Sequence, residues 1–206
     1  MDIDADRLAQ QVELAYGFVE ALHGQAISLI KDVETQLEQE ADLRLLRPGG
    51  YKYTINPQSY GLERPQVPIA NFFAVFFRRF EGRATTTPFD RPVPPICFVK
   101  VVFRERGLRH PEARFGVLTR IEKHREHSEK WPKKVEDAVS RIADRALLEL
   151  PWGDEAGGTR IYTDSYLSLH VEGTGVRLAE LPDSEAIASR IVDPLISILR
   201  KAEEDG

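Results

Sequence analysis

The side chains best suited to chemistry stand in four places along the chain, and each meets the requirements of a site only in part. In "EKHREH", Glu122, His124 and His127 bring two imidazoles and a carboxylate together, which is a zinc donor set. Their spacing is neither His-Glu-x-x-His nor its inverse, so no metal is expected there. Asp164, Ser168 and His170 have the residue types of a hydrolytic triad. Ser168 is not in a Gly-x-Ser-x-Gly turn, however, and residues two apart on a strand form a row rather than a converging set. A nuclease of the Asp...Glu-x-Lys type needs an acid two residues before its lysine. Asp90 and Lys100 are present, but that position is Phe98. Cys97, the only cysteine, sits in "PPICFVKVVF", where a thiol serves as packing. A single cysteine also allows neither an internal disulfide nor a cysteine-built zinc site. The glycines of "RPGGYKY" and "EAGGTRIY" match no phosphate-binding loop. These readings point to a noncatalytic chain without metal or cofactor.

The remaining polar candidate is a binding site. The loop "RERGLRHPEAR" carries Arg104, Arg106, Arg109, His110 and Arg114, and Arg78 and Arg79 are expected within reach of it. Guanidinium groups gathered in this way hold phosphates or carboxylates through paired hydrogen bonds. They belong to a basic centre, because residues 47–134 carry 18 Lys+Arg against 8 Asp+Glu, whereas the whole chain has a net charge of -5. The acidic flanks, residues 1–46 and 135–206, offer internal partners for that centre. Nucleic acid is the alternative partner, disfavoured by the overall acidity and by the lack of a legible nucleic-acid motif.

These residues must be positioned by a small set of elements. Leu8, Val12, Ala15, Val19, Leu22, Ala26, Leu29, Val33 and Leu37 step by alternating four and three, the stripe of one long amphipathic helix. Leu14, Phe18, Ile27 and Ile30 widen the stripe. That favours a helix lying across its own sheet over a coiled-coil seam, with "RPGG" at residues 47–50 ending it. Strands are expected at "YKYTI" (51–55), "NFFAVFFRRF" (71–80), "ICFVKVVF" (96–103) and "RFGVLTRI" (114–121). "WPKKVEDAVSRIADRALLEL" then shows a helical stripe at Val135, Val139, Ile142 and Ala146. "TRIYTDSYLSLHVEG" alternates as a strand, "EGTG" should turn the chain, and "VRLAEL" should pair with that strand. A last helix starts near Asp183 or Ser184, with Ile187, Ile191, Leu195 and Ile198 on its apolar face and an interruption at Pro194. The order α-ββββ-α-ββ-α gives a single α+β domain over residues 1–206, with a mainly antiparallel sheet.

The phenylalanines carry the main expectation about function. On a strand, Phe72, Phe76 and Phe80 point to one face, and Phe73, Val75 and Phe77 to the other. An antiparallel sheet wetted on one side would alternate more clearly, so both faces must be covered, either by the chain's own helices or by a partner. Phe72, Phe73, Phe76 and Phe77 are therefore candidate interface residues. No apolar run reaches the length of a membrane span, and the acidic start "MDIDADRLAQ" lacks the features of a secretory signal. The resulting expectation is a cytoplasmic interaction or regulatory module that forms homo-oligomers through its apolar sheet or its long first helix.

Overall fold

The computed structural model describes residues 5–46, 54–55, 72–79, 93–103, 110–124, 158–163 and 167–204. The four-three stripe forms α1 (Ala5–Ala41), but the helix stops before "RPGG". Asp42 takes a left-handed φ of 50°, and the Leu43 amide donates to the Leu37 carbonyl at 3.1 Å. The early stop has a packing cause. Leu43 and Leu46 become fully buried when the chain leaves the helix and enters β1 (Arg44–Leu46), which pairs with the phenylalanine strand.

That strand is β3 (Phe72–Arg78), so the extended reading of "NFFAVFFRRF" holds against the helical one. It lies in a seven-stranded sheet with β2 (Thr54–Ile55), β4 (Ile96–Val102), β5 (Glu112–Lys123), β6 (Gly158–Thr163) and β7 (Leu167–Arg177). The order is β1-β3-β4-β5-β7-β6, with β2 also pairing with β3, and every pairing is antiparallel. The fold class is thus α+β. The stretch expected to form the middle helix, with Val135, Val139, Ile142 and Ala146, lies outside the described residues.

Two expectations about the last hairpin need correction. β6 and β7 pair with Thr163 opposite Ser168, so the chain reverses between these residues rather than at "EGTG". Gly173 and Gly175 instead lie inside β7, where Gly173 faces both Gly116 of β5 and Gly158 of β6. Glycine here serves close strand approach, not turning. β5 also runs past its expected end, through a bulge between Thr119 and Glu122 where Arg120 adopts a φ of 48°.

After a 3-10 turn at Leu178–Glu180, the Asp183 carboxylate accepts from the Ala186 amide at 2.9 Å and starts the C-terminal helix. It comprises α2 (Ser184–Ile187), a π-helical turn (Ala188–Val192) and α3 (Asp193–Glu204). The wide turn ends just before Pro194, whose missing N–H cannot donate back into the helix. The predicted interruption is therefore absorbed without breaking the rod.

The two helices cover one face of the sheet. Ala26, Leu29, Ile30, Val33 and Leu37 of α1 and Ile187, Ile191, Leu195 and Leu199 of the C-terminal helix pack on Val75, Phe77, Cys97, Val99, Phe115 and Val117. The strand register puts Phe76, Phe98, Lys100 and Leu118 on the opposite face, and all four are fully buried too. Both faces of the sheet centre are covered within one chain.

Candidate interaction surface

The strand order separates Arg78 and Arg79 from His110 and Arg114, which the sequence groups with them. β3 runs against β4 with Phe77 opposite Cys97 and Phe72 opposite Val102. Arg78 and Arg79 therefore stand at the end of the sheet where β4 begins, and the segment after Val102 leaves from the other end. Six residues of strand, roughly 20 Å, lie between them. Arg104, Arg106 and Arg109 are outside the described residues, while His110 is exposed at the start of β5.

The other members of the proposed basic site have structural roles. Arg78 is buried and its Nε donates to the Arg79 carbonyl at 3.0 Å. Arg79 ties two helix ends to the sheet: Nε donates to the Ala41 carbonyl at 3.1 Å, and Nη1 reaches both Glu203 oxygens at 2.8 and 3.0 Å. This contact realises the complementarity between basic centre and acidic flank. Arg114 is 3% exposed, with its Nε 3.4 Å from Glu112 Oε2, and its strand partner Lys100 is 1% exposed. Buried at the sheet centre, neither can present its charge to a large acidic partner.

The catalytic candidates fare no better. Glu122 and His124 follow the β5 bulge, and His127 is outside the described residues. Ser168 and His170 occupy alternate positions of β7, opposite Glu122 and Thr119, so they form the row expected of a strand. Among the described residues, no three His, Cys, Asp or Glu side chains are grouped so as to hold a metal ion. Cys97 is fully buried. Loss of hydration first, then the nearby negative charge of Glu203, push its thiol far above the usual range, so it remains protonated.

The phenylalanine candidates also change role. Phe76 and Phe77 are fully buried on opposite faces of the isolated chain, so they are core rather than an open interface. Phe72 and Phe73 pair through their backbones with Val102 and Val101, and their side chains fall outside the description.

Among the described residues, most of the exposed large apolar side chains are instead on α1, with Ile161 of β6 apart from them. From Ala26 onward the stripe is buried against the sheet except at Ile27, but nearer the N-terminus Val12, Leu14, Tyr16 and Phe18 are 46%, 68%, 55% and 66% exposed. Leu14 and Phe18, read from sequence as part of a stripe lying on the sheet, do not reach it. A comparison of lengths reveals why. Thirty-seven helical residues extend about 55 Å, whereas the seven-residue β3 and β4 extend about 23 Å, the twelve-residue β5 about 40 Å, and six strands side by side span about 29 Å. The helix outruns the sheet.

Residues 9–25 thus form an arm with a continuous apolar side and only two charged groups, Glu13 and Glu20, His23 counted as neutral. At 100° per residue both acids lie on the side opposite the stripe. Among the described residues, no helix is long and apolar enough to cross a membrane. No family model, curated protein or solved structure matches this chain.

Proposed function

We propose that this chain is a noncatalytic cytoplasmic interaction module that self-associates through the N-terminal half of α1. One observation carries the reading: four large apolar side chains stand in water along one helix, and among the other described residues only Ile27 and Ile161 are large, apolar and exposed. Complete burial of each such side chain is worth about 1.5–3 kcal/mol, so a partner covering the arm gains several kcal/mol before association costs. The burial or pairing of Arg78, Arg79 and Arg114 supports this surface over the basic centre.

Size-exclusion chromatography with light scattering, read at 260 and 280 nm, tests the proposal. The wild-type chain should elute as a dimer without excess absorbance at 260 nm. Phe18→Glu should be a monomer whose sheet unfolds in urea as in wild type, because Phe18 is 66% exposed and lies outside the folded core. A wild-type monomer at tens of micromolar, or a Phe18→Glu protein that stays dimeric, would overturn the proposal. A monomer carrying nucleic acid that salt removes would replace it with the nucleic-acid reading.

A further inference from the structure

Resting on self-association through α1, the geometry points to an antiparallel pair of arms, each lying along the other from residue 9 to residue 25 and centred on Gly17. The stripe that faces outward on the arm is the same stripe that, from Ala26 onward, faces the chain's own sheet. A partner lying on it must therefore stop where the sheet begins. In a parallel pair, both sheets would have to occupy the seam side at the same level, and the two bodies would collide. In an antiparallel pair, each body begins where the other arm ends. The two sheets then sit at opposite ends of the paired segment.

The side-chain spacing agrees with this arrangement. Val12, Ala15, Val19 and Leu22 are separated by three, four and three residues, a sequence of gaps that reads the same in both directions. Centred on Gly17, Val12 of one arm meets Leu22 of the other, and Ala15 meets Val19. Each seam position finds a seam position, as knobs-into-holes packing requires. Leu14 and Phe18 flank this seam and extend its cover.

Seventeen residues form a helix about 25 Å long, and a pair with so wide an apolar face provides a contact on the order of 1,000 Å² in total, the lower range for a specific interface.

Single cysteines distinguish the arrangements in the full chain, since Cys97 is buried and serves as an unreactive background. Val12→Cys and Leu22→Cys chains should each remain non-covalent dimers on mild oxidation. Antiparallel arms hold identical positions about 15 Å apart along the axis, well beyond disulfide reach. An equimolar mixture allowed to exchange should yield a covalent dimer containing one chain of each kind. Covalent dimers in the separate samples would mean parallel arms, overturning this arrangement but leaving self-association through α1 intact. Dimers that form no disulfide in any sample would place the contact elsewhere, and a wild-type monomer by light scattering would remove both proposals.

Discussion

Replacing Gly116 with alanine should destabilise the fold severely, although it adds only one methyl group. Gly116 lies in β5 between Phe98 of β4 and Gly173 of β7, and Gly158 of β6 continues the row. A Cβ at position 116 would sit 2.2 Å from the Glu172 carbonyl oxygen, 2.6 Å from the Gly173 Cα and 3.0 Å from the Glu172 carbonyl carbon. All three are backbone atoms of β7, so no rotamer change can relieve the contact, and β6 holds β7 from its far side. Moving the oxygen from 2.2 to 3.0 Å requires about 0.8 Å of strand separation, enough to stretch adjacent ladder bonds from about 2.9 Å beyond good hydrogen-bond range. Two weakened, buried backbone bonds at about 1–3 kcal/mol each give an expected loss of roughly 3–4 kcal/mol. For a chain of this length that is a fall in Tm of roughly 6–15 °C. Thermal and urea unfolding of Gly116→Ala measure it directly, with Gly175→Ala as the control. At position 175 the new Cβ meets Arg114 Cγ at 3.4 Å and the Ala113 carbonyl oxygen at 3.5 Å, ordinary contacts, so the cost should stay below about 1 kcal/mol. A Gly116→Ala protein within about 0.5 kcal/mol of wild type, the range of neutral surface changes, would refute the reasoning.

Three further perturbations test other parts of the structure. Asp183→Ala removes the side chain that caps α2 and should cost about 1 kcal/mol by urea titration, while Asp183→Asn should retain most of the stability. Arg79→Met breaks the pairing of α3 with the sheet end. Both partners are partly exposed, so the loss should be about 0.5–1 kcal/mol, and 1 M salt should reduce the difference from wild type. The Cys97 thiol should resist a disulfide-exchange reagent at pH 8 in the native chain and react fully in denaturant, because burial and Glu203 favour its protonated form. Rapid native labelling would show that the start of β4 opens.

The fold was most legible where periodicity and burial agree. The period-two pattern shared by "NFFAVFFRRF" and "ICFVKVVF" correctly required cover on both faces, and the register pairs those strands directly. The Asp183 start and the disturbance before Pro194 followed from local backbone chemistry. Failures occurred where a local signal had two uses. Glycines in "EGTG" suggested a turn, but Gly173 is needed for three strands to approach closely, which depends on neighbours far away in sequence. Lys100 and Arg114 counted toward a basic surface, yet cross-strand pairing buries both. Net charge by segment carries no information about burial, so the arginine site could not have been tested without the strand order.

The long helix shows the converse. Its stripe continues without a change of phase from Val12 to Leu37, although only the part from Ala26 onward has a sheet to cover. An isolated helical arm of about 17 residues is marginal in water, and Gly17 and Gly24 each cost roughly 1 kcal/mol relative to alanine. Both glycines have open space around them, so alanine would fit without conflict. An arm with poor helix formers and a wide apolar side gains its order from contacts, and its own body leaves Leu14 and Phe18 largely exposed. Coupling between folding of the arm and docking follows from these terms. Gly17→Ala and Gly24→Ala together should strengthen dimerisation by preordering the arm, while leaving the unfolding of the sheet nearly unchanged. Sedimentation over a dilution series measures the first effect and urea titration the second. If the substitutions stabilise the sheet but do not change the dimer dissociation constant, the arm is not the docking element.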